Sequence, residues 1–414
     1  MSADSDPDFP PGIGPLSALQ TGLRTITEIL ANELVRPGVA APDWSETQWL
    51  LARAVATIHG VSPLLARSLR WQGPPGWQRF LDDQRMHTES RHVRIRELLE
   101  RLHEAGRSAG IALVALKSVA LHELQLYAAG ERPMADVDLL VREQDSQRAG
   151  RMVEDLGFHV TLSNWRHQVF ATDAPAPAGF GENCANGLKI ELHTHIQEVL
   201  PKRAVDVSAC IFSNTAEPGL NQYPSRAALM LHLLFHAAGA MALRVVRLIN
   251  LNDISRLSAS MSSRDWDEFL AQERTLNQTL WWSFPPLALT AHYYDSIPER
   301  VVTALASRCH WWLKETCRRR TLSDVSLSYL WVTAFPGIEW ARSPGEMLEY
   351  VMGRVVPDAK VRSVRKVLAT TEPAEAQSTW AHLSQSRRVL RWLTSRPARP
   401  TALRPIRMAL AQSP

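Results

Sequence analysis

Apolar residues recur at helical spacing along the first quarter of this chain: Leu50, Leu51, Ala54, Val55 and Ile58, then Leu98, Leu99, Leu102 and Ala105. Positions three and four apart share one helix face, so the spacing predicts helices from Thr21 to Arg107. Breakers at Pro37 to Pro42 and at Gly73 to Gly76 cut the stretch into several. Ahead of it, residues 1–20 are rich in Pro, Gly, Ser and Asp and read as a disordered leader.

The period changes at Gly110. Ile111 to Leu116 is a short apolar run of strand character, Ser118 to Tyr127 is helical, and Ala135 to Arg142 alternates. A helix follows over Gln144 to Leu156, with Asp145 or Ser146 placed to cap it and Gly157 to end it. Strands are expected at Phe158 to Leu162, at Gln168 to Thr172 and, after a Pro/Gly-rich loop, at Leu188 to Thr194. Residues 108–215 thus form an α/β core. Helical patterns resume over 216–386, and 387–414 is a basic tail. The fold class is α+β: a small mixed sheet with helices, flanked by N-terminal and C-terminal all-helical regions.

Composition narrows the class. Hydrophobic residues at 45% and charged residues at 21% of 414 fit a folded globular chain and exclude a disordered one. The apolar stretch Ala227 to Ile249 is interrupted by His232, His236, Arg244 and Arg247, which disfavours a membrane span and favours a buried helix. Cys184, Cys210, Cys309 and Cys317 form neither a CxxC pair nor a regular framework, so free thiols are expected. An acidic start with no apolar core is not a secretory signal. Together these point to the cytoplasm.

The net charge is only +4, yet no acidic residue follows Glu375, and Arg387, Arg388, Arg391, Arg396, Arg399, Arg404 and Arg407 crowd the end. Such a tail either docks an acidic partner or is a solvated terminus. Trp266, Trp281, Trp282, Trp311, Trp312, Trp331, Trp340, Trp380 and Trp392 form a stripe that either stacks nucleobases or packs between helices.

The chemistry concentrates in three segments. In a strand, Asp136 and Asp138 share a face, and two close carboxylates with apolar neighbours repel until a divalent cation joins them. Upstream, Val114-Ala115-Leu116-Lys117-Ser118 is a strand stopping at a residue that opens a helix, where an anion is favoured; Lys117 and Arg132 would support a phosphate at Ser118. Downstream, Lys189, Glu191 and His193 share a face while Leu188, Ile190 and Leu192 supply the core side. If that strand neighbours the Asp136 strand, Glu191 becomes a third carboxylate, a general base or metal ligand.

Each segment has a plainer reading. The Asp pair could be an exposed turn or the mark of a sugar-nucleotide glycosyltransferase, Ser118 a simple N-cap, and Glu191 a surface residue of an edge strand. His193 and His195 are read as structural. The order of the parts favours function: strand, Ser at a helix start, Arg, acid pair, helix, strand with a third acid.

Leu116-Lys117-Ser118, Leu126-Tyr127, Arg132-Pro133-Met134, Asp136-Val137-Asp138 and Glu191-Leu192-His193 resemble the largely uncharacterised nucleotidyltransferase family of the DNA polymerase β superfamily. Members are often encoded beside peptide natural-product genes, lasso peptides among them. The resemblance extends to Asp43-Trp44, His59-Gly60-Val61, Phe235-His236-Ala237 and Asn252-Asp253-Ile254, and covers Thr21 to Arg354. One departure is Ser118, where the family usually has Gly. The resemblance implies transfer of a nucleoside monophosphate from an NTP to a hydroxyl of a small molecule, peptide or protein. Asp136 and Asp138 would hold two Mg²⁺ ions, with Mn²⁺ an alternative, and Glu191 would complete the shell or assist the acceptor. A non-catalytic nucleotide-binding or partner-binding scaffold is the alternative, and polynucleotide modification ranks third, since no RNA-binding motif is recognisable.

Overall fold

The computed structural model describes residues 16–163, 167–173, 180–327, 335–357 and 383–394, with residues 359, 406, 408 and 409. The N-terminal pattern resolves into α1 (Leu16–Val35), α2 (Glu46–Ile58), α3 (Ser62–Ser68) and the long α4 (Pro75–Ala109). Helix α1 opens inside the segment read as a leader; residues 1–15 of that segment lie outside the described residues. Ser45 caps α2 with a capping box, and α4 ends at Gly110 in the left-handed conformation (φ 65°) that glycine adopts without strain. The break between α2 and α3 at Gly60 (φ 67°) went unpredicted.

The core follows as β1 (Ala112–Ala115), α5 (Ser118–Glu123), β2 (Val137–Val141), α6 (Ser146–Asp155), β3 (His159–Ser163), β4 (His167–Ala171) and β5 (Lys189–His193), matching the expected elements in order. Asp145 precedes α6 but does not cap it; its carboxylate accepts from Arg148 instead (2.9 Å). Four short elements have no counterpart in the sequence pattern: β6 (Gln197–Val199) and β7 (Ala204–Asp206), a separate hairpin, the short α7 (Ser208–Ile211), and β8 (Gly219–Asn221). The main sheet runs β3-β4-β5-β2-β1-β8. β2 is parallel to β5 and antiparallel to β1, and β8 lies parallel to β1, so the sheet is mixed.

Period two divides this sheet into two faces. Leu113, Ala115, Val137, Leu139, Val141, Ile190 and Leu192 form one buried cluster with Ile95, Leu98 and Leu102 of α4 and Met152 and Val153 of α6. Val114, Leu116 and Leu140 point the other way and join a second cluster with the helices of both flanks. Asp138, Glu191 and His193 alternate with the first set and therefore lie on that second face. A slip of one residue would drive Asp138 into the apolar cluster, and burying an unpaired charge costs several kcal/mol, so the register is fixed.

The C-terminal half forms α8 (Arg226–Ala242), α9 (Leu248–Ser260), α10 (Ser263–Leu276), α11 (Phe284–Tyr293), α12 (Glu299–Arg308), α13 (Trp311–Arg318), α14 (Leu322–Val325) and α15 (Pro344–Val355), with a further helix at Gln385–Thr394. Helix α8 is buried almost along its length, as expected for Ala227 onward, and a turn separates it from α9. No single described helix is long and apolar enough to cross a membrane. Leu23, Ile26 and Leu30 of α1 share one cluster with Leu287 and Leu289 of α11, and Tyr293 donates to Glu28 (2.6 Å), so the two helical flanks pack as one body.

Of the described residues in the tryptophan stripe, Trp266, Trp281, Trp282, Trp340 and Trp392 are buried, Trp312 is half-buried and Trp311 is exposed. Trp331, Trp380 and the tail residues Arg396, Arg399, Arg404 and Arg407 lie outside the described residues. The four cysteines are free.

Candidate active site

Strand β2 begins at Val137, so Asp136 stands just before the ladder and only Asp138 projects from it. Asp138 is registered directly against Glu191 across β2 and β5, which meets the condition under which Glu191 becomes a third carboxylate. His193, two residues on and on the same face, reaches Asp138 Oδ1 at 3.1 Å and Glu191 Oε2 at 3.6 Å. Read from sequence as structural, it belongs to the acid cluster. One ligand atom each from Asp138, Glu191 and His193 lie within 4.8 Å of one another. His195 falls beyond the strand and pairs with Asp206 (3.0 Å), away from these groups.

Lys117 completes the cluster. Its Nζ lies 3.0 Å from Asp138 Oδ2. Burial alone would raise the Asp138 pKa, but the Lys117 ammonium and the His193 N–H outweigh it and hold the carboxyl well below its usual range. For His193 the signs reverse: burial would lower it, and hydrogen bonds to Asp138 and Glu191 raise it. Among the described residues the Asp136 carboxylate has no such hydrogen-bonded partner, and the Lys117 charge acts on it only from farther off. Burial and then the Asp138 charge push its carboxyl up to about 6. A carboxyl raised first by burial and then by a neighbouring acid is one that a bound cation would stabilise in its charged form.

The turn from β1 into α5 carries its strain at Lys117 (φ 45°, ψ −103°), while Ser118, the departure from the family pattern, lies in ordinary helix. The Lys117 N–H donates to the Tyr223 hydroxyl (3.1 Å), which also stands 2.6 Å from His232 Nδ1, and the Val119 N–H is taken by the Leu116 carbonyl (3.3 Å). Two amides expected to face a phosphate are therefore engaged. The Ser118 hydroxyl accepts from Arg132.

Arg132 is held in turn by Asp253 of α9, with Nε at 2.7 Å from Oδ1 and Nη2 at 2.6 Å from Oδ2. Tyr127 donates to the same carboxylate (2.7 Å), and Asn252 donates to Tyr127 (2.7 Å). All four side chains are buried, and such a network fixes Arg132 in one orientation. Arg91 of α4 holds the other side of the acid strand: its guanidinium donates to the carbonyls of Met134 (3.1 Å), Ala135 (3.4 Å) and Asn186 (2.9 Å) and pairs with Glu182 (3.1 Å).

A cavity of about 440 Å³ opens beside these groups, lined by Ser118, Arg132, Asp136, Gly60, Glu182 and Arg247 among others. Arg247 precedes α9 and is exposed to this space; among the described residues its guanidinium has no ion-pair partner. Nothing in the local sequence marked Arg247, Asp253 or Arg91 as parts of the site, although Asn252-Asp253-Ile254 belonged to the family resemblance. A cavity with two arginines, a hydroxyl and two carboxylic acids, Asp136 and Glu182, suits an anionic ligand that brings its own cation.

A family model described as an uncharacterised nucleotidyltransferase matches residues 45–284, more than half of the chain. The chain belongs to this nucleotidyltransferase family. The matched region takes in α2 to α10 and every residue of the acid cluster and of the Arg132 network. No curated protein and no solved structure matches the chain.

Proposed function

We propose that this family member transfers a nucleoside monophosphate from an NTP to a hydroxyl acceptor, using Asp136, Asp138 and Glu191. The observation that carries the reading is the Asp138 and Glu191 register across β2 and β5, beside a cavity holding Ser118, Arg132, Asp136 and Arg247. The donor set fits a divalent cation: two carboxylates and an imidazole already converge, and Asp136 stands two residues from Asp138, its carboxyl raised by burial and by the Asp138 charge. Asp136, Asp138 and Glu191 would hold Mg²⁺ or Mn²⁺, with His193 a fourth donor better suited to Mn²⁺. When bound, the ions neutralise charge on the triphosphate and lower the pKa of the acceptor hydroxyl.

The protein's own groups supply the rest. Lys117 and Arg247 bind phosphate oxygens, and Arg132 orients the Ser118 hydroxyl toward them. Lys117 must leave Asp138 Oδ2 to do so, which its long flexible stem permits. Glu191, whose carboxylate already meets His193, takes the proton of the attacking hydroxyl. The acceptor oxygen bonds to the α-phosphorus as the bond to the bridging oxygen breaks, and pyrophosphate leaves with the electron pair. A hydroxyl on a small molecule, peptide or protein meets this chemistry, and the resemblance to a family encoded beside peptide natural-product genes favours a peptide-tailoring role in the cytoplasm.

Incubation with each α-labelled NTP, Mg²⁺ and a panel of hydroxyl acceptors tests the reading. Labelled product and pyrophosphate are expected, and both disappear in Asp136→Ala, Asp138→Ala. The reading fails if no NTP yields pyrophosphate or if the double variant matches the wild type.

A second reading rests on the Lys117 and Asp138 ion pair, which occupies an oxygen a catalytic cation would need. In it the chain is a nucleotide-binding scaffold without turnover. Calorimetric binding of ATP with Mg²⁺ but no pyrophosphate from any acceptor would select it.

A further inference from the structure

The 440 Å³ cavity adjoins a larger cleft of about 890 Å³, and Gln84, Phe180 and Glu182 form the wall between them. The larger cleft differs in chemistry. Its walls carry Trp44, Trp49, Trp77, Phe80 and Phe180, and the rings form an unbroken series. Trp44 meets Trp49 edge-on (centroids 4.8 Å apart), Trp49 meets Trp77 (5.6 Å), Trp77 meets Phe80 (5.9 Å) and Phe80 meets Phe180 (5.7 Å). Trp77, Phe80 and Phe180 are buried beneath the surface, while Trp44 and Trp49 are only half-buried.

The shared wall is held rigidly in place. The Gln84 amide donates to the carbonyls of Phe180 (3.2 Å) and Glu182 (3.1 Å) and accepts from the Glu182 N–H (2.8 Å). Gly181 between them has φ +79°, and a Cβ there would fall 2.2 Å from Gln84 Oε1, so the segment passes only with glycine.

Resting on the proposed nucleotidyl transfer, we propose that this cleft seats the nucleobase of the NTP, stacked at Trp44 and Phe180. The adjoining 440 Å³ cavity, at Ser118, Arg132 and Arg247, takes the triphosphate. Asp136 lines the cavity with them and takes its place at the α-phosphate. What is covalently attached beyond the α-phosphate is the nucleoside, and the wall it meets is aromatic. Stacking on a π-face tolerates any base, so the site favours breadth among NTPs, with preference left to the cleft's polar rim.

Calorimetry with Mg²⁺ and either ATP or inorganic tripolyphosphate separates the two ends. Trp44→Ala and Phe180→Leu are each expected to weaken ATP on the order of tenfold while leaving tripolyphosphate unchanged. Trp44 is half-buried, so its variant keeps the fold even if Phe180→Leu does not. If both variants bind ATP as the wild type does, the base lies elsewhere and the cleft is left to the acceptor. Equal weakening of ATP and tripolyphosphate also overturns the proposal, because the rings then merely shape the cavity. If the wild type binds neither ligand, nucleotidyl transfer itself fails and the cleft proposal with it.

Discussion

Arg132 and Asp253 form a two-point ion pair across 121 positions of sequence, joining the turn before the acid strand to helix α9. Both side chains are almost fully buried, at 7% and 2% exposure. For Arg132, burial would lower the pKa and Asp253 more than restores it. Removing one partner of such a pair leaves a charge in a dry site at a cost of about 3–5 kcal/mol. Asp253→Ala is therefore expected to lose that much stability in urea unfolding, and more than Tyr127→Phe, which deletes one hydrogen bond at a cost of about 1 kcal/mol. Equal losses would show that the ion pair is not what anchors α9.

Cation binding is expected to register without turnover. A ligand held only by the folded state adds about 2.7 kcal/mol at a hundredfold excess over its Kd. Mn²⁺ should therefore raise the melting temperature of the wild type, and Glu191→Gln should abolish most of the shift. An unchanged shift in that variant would remove Glu191 from the cation site.

Acid should destabilise the protein early. His59 accepts the Leu248 N–H at Nδ1 (3.0 Å) and meets Thr27 at Nε2 (3.4 Å). Burial first, and then the Arg247 charge, lower its pKa from 6.5 to about 3. Burial does the same to His122, lowering it to about 4. The unfolded chain thus takes up these protons first, so stability is complete above pH 6.5 and drains away as pH falls from there toward 3. Denaturation midpoints measured between about pH 7.5 and 5 should fall less steeply in His59→Asn, which keeps an acceptor for Leu248 but does not titrate. Parallel slopes would count against His59.

At Lys117 the backbone sits at positive φ. Lys117→Gly and Lys117→Ala both delete the ammonium beside Asp138, so both should weaken triphosphate binding. Only glycine relieves the backbone, so Lys117→Gly should be the more stable of the two by about 1 kcal/mol. Equal stabilities would mean that the turn carries no strain there.

The parts of the site visible in the sequence are those whose neighbours are local or periodic. Alternation in Val137 to Val141 and Lys189 to His193 gave both the strands and the shared face of Asp138 and Glu191, because a side-chain period of two is written into consecutive residues. Ser118 was legible as a helix start for the same reason. Arg91, Arg247 and Asp253 were not, since their roles come from long-range packing of α4 and α9 on the acid strand. The helix-start donors were overestimated because Tyr223, more than a hundred positions away, engages the Lys117 N–H. Strands β6, β7 and β8 have three residues each, too few for a period to show. Asp136 looked like a ladder residue, but the strand starts one position later.

Helix α4 has a further consequence. Gln84 grips the 180–182 segment and Arg91 grips the carbonyls ahead of Asp136, seven residues along the same rod. Seven residues is about 10 Å and close to two full turns, so both grips leave the helix in nearly the same direction. The separation between the aromatic wall and the acids is thus measured by a ruler of backbone hydrogen bonds, insensitive to the identity of the residues between. Its weakness is phase: one residue inserted between Gln84 and Arg91 would swing one grip by about 100° relative to the other, so that both could no longer be held at once.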